Sequence, residues 1–173
     1  MSKKHLVLKC LAPDFTAYGG FQWPSEVGAE VVAPDWKPTK ECGKGLHGWL
    51  NGEGHSSVAD HFHTTGAKWL VLEVASFIEL SDKVKFKSAK ILHIGSRGEC
   101  ARYIWERTKA PRILGLELIG GYRSTLTGGD DSELRIRYYD SRWRTAIAYV
   151  GENGIEAGVA YKLNDNHEFV RAN

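Results

Sequence analysis

The alternation of apolar and polar positions is clearest in two stretches of the first half of the chain. The segment "AKWLVLEVASFIEL" is nearly all apolar from Trp69 to Val74, as expected for a central strand buried on both faces. In "KVKFKSAKILHI" the two kinds of position alternate, with Val84, Phe86 and Ser88 on one side and Lys83, Lys85 and Lys87 on the other. This pattern predicts a half-exposed strand with a basic outer row. The shorter runs "HLVLKCL" and "AEVVA" predict two further strands.

Helical periodicity follows the second of these strands. Ser96 and Glu99 have the spacing of a capping box, and Pro111 ends the run. Between them one stripe recurs at helical period: Cys100, Ala101, Ile104, Trp105 and Thr108. A second, shorter helix is predicted from Ser56 to about His63.

The sequence pattern changes after Pro111, where it predicts short strands separated by turns in place of longer elements. We therefore predict an α+β chain that is mainly β. Residues 1–115 would form a mixed sheet with two short helices and a glycine-rich histidine loop. Residues 116–173 would form a small antiparallel β unit.

Composition narrows the class of protein. The chain has 173 residues, 42% of them hydrophobic and 25% charged, which is typical of a globular protein. The net charge of +2 is too small to indicate nucleic-acid binding. Three widely spaced cysteines, an odd number, favour free thiols in a reducing cytosol. Because no apolar segment approaches the ~20 residues of a membrane span and no cleavage site follows the N-terminal run, we expect a cytoplasmic protein without membrane contact.

The stretch "CGKGLHGWLNGEGHSSVADHFH", residues 42–63, concentrates histidine, glycine and cysteine. Its spacing does not match the paired ligands of common zinc sites, so no metal is predicted. A nucleophilic pair of Cys42 and His47 would lack a recognisable base and oxyanion hole. We interpret the stretch as a glycine loop leading into a helix, with His47 and Trp49 as pocket walls and no cofactor.

An arginine-rich hairpin is predicted in "ELRIRYYDSRWRTAIAYV". An even-numbered loop at Asp140-Ser141 would pair Tyr138 with Trp143 and collect the apolar side chains on one face. The other face would carry Arg135, Arg137, Tyr139, Arg142 and Arg144. A three-residue loop would instead place Arg144 opposite Tyr138 and turn Trp143 outward.

In the even register Arg137 faces Arg144, and such like-charge pairs are unfavourable. A bound anion would offset the repulsion, as would nearby carboxylates of the chain in a solvated, salt-bridged face. A second anion candidate is "HIGSRGE", where Ser96 and Arg97 lie at a helix N-terminus, unless Glu99 already fills it.

Two stretches resemble known families. "CGKGLHG", preceded by "WPSEVG", resembles a small domain of unknown function common in phage and prophage genomes. The tail "GYRSTLTGG…RTAIAYVGENGIEAGVAYKLNDNHEFVRA" resembles the C-terminal end of phage-associated β-solenoid-repeat proteins, with a single degenerate repeat, "YRSTLTGG". The resemblance implies a phage or bacterial origin and, as its context, inhibition of host defence. Together with the arginine-rich hairpin, it favours a non-enzymatic phage accessory protein that binds an anionic host partner. That partner would be a nucleotide-type signal, a nucleic acid or an acidic protein surface.

Two alternatives come from other classes, and self-association is left open. "GKGLH", followed by a Ser-led helix and a strand, resembles the second sequence block of ADP-ribosyltransferases. That resemblance implies that His47 stacks on nicotinamide, with His5 and Glu117 as candidates for the other two blocks. The second alternative is a structural component of a phage particle.

Overall fold

The computed structural model describes residues 4–173 and contains two compact units. Unit 1 ends at Ala110, and unit 2 comprises Pro111–Asn173. The chain is mainly β, as predicted. Its large sheet is antiparallel instead of mixed, and the described part contains one α-helix where two helices were expected. That the units are separate domains stays a prediction.

Unit 1 is built on a seven-stranded antiparallel sheet with the order β2-β7-β4-β1-β3-β6-β5. Its strands are β1 (His5–Leu11), β2 (Glu30–Val32), β3 (Leu46–Leu50), β4 (Lys68–Val74), β5 (Ile78–Glu79), β6 (Val84–Phe86) and β7 (Ser88–Gly95). Strand β4 lies inside the sheet and is buried from Trp69 to Leu72, as its apolar run predicted.

The helix α1 (Arg97–Thr108) begins where the sequence pattern predicts. Its capping box is present: the backbone N–H of Glu99 donates to Ser96 Oγ at 3.3 Å, and that of Ser96 donates to Glu99 Oε2 at 2.7 Å. The helix buries Cys100, Ala101 and Ile104. Local capping therefore positions α1, and its apolar stripe holds it on the sheet.

The second predicted helix is wrong. Ser56–Val58 forms a single 3₁₀ turn, and the chain continues in turns to His63. The backbone N–H of Ser57 donates to His55 Nδ1, and the Trp49 indole donates to the carbonyl of His55. Such side chain–backbone bonds compete with helix formation.

The predicted outward position of Lys85 is also wrong. Lys85 is fully buried, and its ammonium donates to the carbonyl of Glu41 at 2.8 Å and to Thr39 Oγ1 at 3.4 Å. The segment 37–45 covers this face of β6, so the lysine that looked solvated in the sequence anchors a loop.

Unit 2 contains two three-stranded sheets, with orders β11-β10-β8 and β13-β12-β9. Its strands are β8 (Glu117–Gly120), β9 (Leu126–Thr127), β10 (Glu133–Asp140), β11 (Arg142–Tyr149), β12 (Ala160–Leu163) and β13 (Phe169–Arg171). Leu134, Val150, Ile155 and Tyr161 form the buried core. The unit is not purely antiparallel, since β8 pairs with β10 in parallel.

The hairpin β10–β11 has the register of the three-residue loop, and not that of the even-numbered loop. Tyr138 faces Arg144 and Asp140 faces Arg142, leaving Ser141 alone at the tip with a φ of 56°. Ser141 accepts the left-handed conformation that closes so tight a turn. The predicted even loop is therefore wrong, and Trp143 points outward with 57% of its surface exposed.

Three buried aromatic rings fasten the 51–67 connection to the sheet of unit 1. Trp49 and Trp69 stack with centroids 6.1 Å apart, and Phe62 meets them edge-on at 5.8 Å and 5.1 Å. Phe62 is the member that comes from the connection itself, so it ties irregular chain to strands β3 and β4.

We expect Phe62→Ala to lower the free energy of unfolding by about 3–5 kcal/mol, because it leaves a cavity between two fixed indoles. Urea unfolding followed by tryptophan fluorescence measures the change. The control Val27→Ala, at a side chain 61% exposed, should shift the free energy by less than about 0.5 kcal/mol. Equal effects of the two substitutions would contradict the proposed role of the cluster.

Candidate functional site

A cleft opens in the sheet of unit 1 where β1 and β3 separate. Strand β1 pairs with β4 at every residue from His5 to Leu11, but it pairs with β3 only at Val7 and Leu8. From Lys9 onward the two strands diverge. The resulting cavity has a volume of about 630 Å³, within the range of small-molecule sites.

The walls of the cleft combine charged, aromatic and glycine positions. Its charged groups are Lys9, Asp35, Lys44, Asp60 and Lys83; its imidazoles are His47 and His61; and its aromatic rings are Tyr18, Phe21, Trp23 and Trp49. The loop 42–45 supplies a further wall, and the buried Lys85 holds that loop in place. Cationic, anionic and aromatic side chains are thus collected around one cavity.

Burial changes the protonation of three groups in the cleft. It lowers the pKa of Lys9 to about 8 and, with the charges of nearby lysines, the pKa of His47 to about 4. It raises the pKa of the Cys10 thiol to about 12. At neutral pH the cleft therefore holds a charged ammonium, a neutral imidazole and an unreactive thiol.

Two of the predicted site residues lie in this cleft. His47 and Trp49 follow each other on one face of β3 and both line the cavity. Trp49 is 2% exposed and donates to a backbone carbonyl, so its role includes packing. Their binding roles stay predictions.

The other predicted site residues lie elsewhere, and the hairpin register divides the arginines. Arg135 and Arg137 share a face with Tyr139, whereas Arg142 and Arg144 lie on the opposite face. The guanidinium of Arg135 pairs with Glu117 at 3.0 Å and with Glu133, and that of Arg144 pairs with Asp140 at 3.1 Å. The four arginines therefore do not share one face of the hairpin, so the predicted single anion-binding face is not formed.

At the N-terminus of α1 the predicted anion-binding residues Ser96 and Arg97 already have contacts within the chain, and an anion-binding role there stays a prediction. The carboxylate of Glu99 accepts a hydrogen bond from the backbone N–H of Ser96. The guanidinium of Arg97 lies over the Phe62 ring at 5.1 Å. Both residues thus have structural partners.

Sequence reasoning missed Lys9 and Lys83 as cleft residues. A signal existed for Lys9, which interrupts the apolar run "HLVLKCL". Lys83 joins the cleft through loops and long-range pairing, which local patterns do not reveal.

A second candidate site is a single repeating coil in unit 2. Glu117 faces Glu133 and Gly120 faces Ile136 across the parallel β8–β10 pair, a register of sixteen residues. The chain between them passes through β9 in the other sheet. One turn of a two-sided β-solenoid is thereby completed.

The coil consists of two half-coils with the same backbone. The pattern Leu-x-Gly-Gly-x-x-Ser begins at Leu118 and again at Leu126, eight residues later. Corresponding turn positions have left-handed backbone, with φ of 63° at Arg123 and 53° at Asp131. In both turns the serine N–H donates to the carbonyl of the second glycine, at 3.1 Å and 3.3 Å.

Glycine is required at the first of the two glycine positions of each half-coil by close approach. A Cβ added at Gly120 would lie 2.6 Å from Ser124 Cβ, and one at Gly128 would lie 2.9 Å from Ser132 Cβ. The inward serine therefore occupies space that a side chain at the glycine would need. This shared packing explains why the sequence pattern recurs.

No group of three or more His, Cys, Asp or Glu side chains within residues 4–173 is arranged to hold a metal ion. No helix within the same range has the length and apolar composition of a bilayer span.

The low pKa of His47 predicts a pH effect on stability. The imidazole of His47 has a pKa of about 4 in the folded chain and 6.5 in the unfolded chain. Between these pH values the unfolded chain binds a proton that the folded chain does not, so acidification lowers the free energy of unfolding. We expect about 1–2 kcal/mol, less than the full pKa shift implies because the ring is partly exposed. Urea unfolding across this pH range should show a shallower fall for His47→Gln. The exposed-site control His63→Gln should keep the wild-type slope, and a wild-type slope in His47→Gln would contradict the assignment.

Comparisons with known proteins find relatives from bacteria. It is 36% identical over 107 residues to an ice nucleation protein of Pseudomonas fluorescens, covering 60% of this chain and 8% of that protein. It is 44% identical over 112 residues to an ice nucleation protein of Pseudomonas syringae, covering 62% and 9%. For ice nucleation protein InaU of Pantoea ananas the identity is 32% over 105 residues, covering 58% and 10%. The chain thus spans a tenth or less of the length of these relatives, and no solved structure matches it.

These relatives overturn the expected identity and function. The phage or prophage family is wrong, because the curated relatives are bacterial ice nucleation proteins. The same finding contradicts the expected inhibitor of host defence and the two alternatives, an ADP-ribosyltransferase and a phage-particle component.

The family assignment rests on unit 1. Residues 5–105, which include β1–β7 and most of α1, match the family described as a domain of unknown function, DUF7666. The chain belongs to the DUF7666 family.

Proposed function

We propose that unit 2 closes one end of a β-solenoid and that the chain serves as an end module in bacterial ice nucleation assemblies. The observation that carries the proposal is the sixteen-residue parallel register between β8 and β10. Parallel pairing at a fixed offset is how coils stack in a solenoid. A single coil buries little apolar surface, so it gains stability from neighbouring coils or from a cap.

One end of the coil is closed by antiparallel strands. Strand β10 continues into β11, which pairs back along all eight of its residues. In the other sheet β12 pairs antiparallel with β9 through Ala160 and Tyr161. These strands occupy the positions where the next coil would pair, so stacking ends on this side.

The opposite end of the coil is open to strand pairing. Strands β8 and β9 are each terminal in their sheets, and neither has a further strand partner within residues 4–173. The carbonyl of Leu116 accepts from the N–H of Glu133. Since backbone groups alternate along a strand, the N–H of Ile119 faces the open edge. An incoming coil would pair with that edge.

The relatives are named ice nucleation proteins, and these names support placing the chain in such an assembly. A surface that templates a crystal extends over many lattice repeats, whereas one coil adds a layer of only about 4.8 Å to a sheet. The chain by itself is therefore too small to be the nucleating surface. Its role would be to terminate or join coils supplied by a longer protein.

Droplet freezing with the purified full-length chain tests this role. Alone, the chain should leave the freezing temperature of buffer unchanged. Added to the purified Pseudomonas syringae ice nucleation protein, it should bind, as measured by light scattering or biolayer interferometry, and shift the freezing temperature of the droplets.

Ile119→Pro should abolish both effects, because proline removes the N–H donor at the open edge and leaves the β8–β10 ladder intact. The matched control Ile119→Thr keeps that N–H and should behave as wild type. Freezing induced by the chain alone, or wild-type binding by Ile119→Pro, would refute the end-module role.

A further inference from the structure

The cleft of unit 1 contains polar groups that the fold leaves without partners. The ammonium of Lys9 makes no hydrogen bond or ion pair within residues 4–173, and it lies over the Trp23 ring, 5.5 Å from the ring centroid. Trp23 Nε1 and His47 Nε2 are both buried and lack a hydrogen-bond partner in the same part of the chain. All three residues line one cavity. Buried polar atoms in folded proteins are almost always paired, so this convergence calls for an explanation.

The donors among these groups define the missing partner. An ammonium and an indole N–H can only donate hydrogen bonds, so the partner must supply acceptors. The neutral imidazole of His47 can adopt the tautomer that suits the partner.

The charges on the cleft wall favour a negative partner. Lys9, Lys44 and Lys83 outnumber Asp35 and Asp60, and within residues 4–173 no lysine nitrogen of the cleft lies within 4 Å of a carboxylate oxygen. The charge of Asp60 acts on Lys9 from a distance, and that of Lys83 opposes it. An unpaired, partly buried ammonium lowers stability, and its presence is explained if a ligand supplies the counter-charge.

The aromatic walls favour a flat ligand. Phe21 and Trp23 meet edge-on at 6.4 Å, and Trp49 lines the cleft with them. Rings of this kind contact unsaturated groups through their faces and edges.

We propose that the cleft binds a small organic anion in which a carboxylate or phosphate group is attached to a flat unsaturated ring. The acid group lies against Lys9 and Trp23 Nε1, and the ring packs against the aromatic wall. The site belongs to unit 1, so it is independent of the end-module function proposed for unit 2.

Calorimetric titration of the full-length chain at pH 7 tests the proposal, with phenyl phosphate and benzoate as probes and benzyl alcohol as the neutral analogue. At least one anion should bind saturably with a Kd below about 1 mM and raise the unfolding midpoint. The tighter of the two anions identifies the acid group. Failure of both anions to saturate by about 10 mM, or equal binding of the alcohol, overturns the proposal.

Substitutions separate a ligand site from a structural one. Lys9→Met should weaken anion binding at least tenfold while leaving the ligand-free unfolding midpoint unchanged or higher, because it removes an unpaired charge. Trp23→Phe, which deletes an unpaired N–H and keeps an aromatic ring, should weaken binding, lowers the midpoint only by the cost of the smaller buried ring, and decides the matter if Lys9→Met does not fold. The control Lys87→Met, at an exposed lysine outside the cleft, should bind as wild type. Wild-type affinity in Lys9→Met refutes the site.

Discussion

The unequal pairing of strand β1 with its two neighbours determines the geometry of unit 1. Along β4 the ladder is complete, whereas along β3 it stops after Val7 and Leu8. Gly48 lies at the last point of contact, where a Cβ would come within 2.6 Å of both Val7 Cγ1 and the Leu8 carbonyl. Close approach at glycine followed by divergence opens a cavity inside an otherwise continuous sheet. The diverging ends of both strands then form its walls.

Buried cations have two different roles around that cavity. Lys85 is fully enclosed and satisfied by a carbonyl and a hydroxyl of the covering loop, so its charge holds the wall together. Lys9 has no such acceptor among residues 4–173, and burial lowers its pKa. The two lysines show that burial alone does not indicate function. The absence of an acceptor distinguishes the group that is free to meet a ligand.

Local signals in the sequence predicted the elements whose stability is local. The capping box at Ser96 and Glu99 and the apolar run of β4 needed no knowledge of the rest of the chain. The position of Lys85 depended on a loop some forty residues away in sequence, which alternation along one strand cannot reveal. The segment after His55 had helical periodicity, but side chain–backbone bonds supported turns there.

The hairpin illustrates a subtler limit. Collecting apolar side chains on one face favoured an even loop, yet the folded chain places Ser141 alone at the tip. Contacts within the hairpin favour this register, since Asp140 pairs with Arg144 and Tyr139 meets Trp143 edge-on at 5.7 Å. For the candidate site, sequence reasoning reached His47 and Trp49 but missed the residues that other strands and loops contribute.

The sequence pattern shared by the two half-coils has an evolutionary consequence. Successive half-coils lie in alternate sheets. Duplication of one eight-residue half would therefore move each following strand to the other sheet, and the terminal hairpin and β12 would lose their present pairing partners. Duplication of the full sixteen residues preserves every pairing. Descendants of this chain could therefore lengthen only in whole turns, inserted upstream of β10, while the closing strands remain untouched.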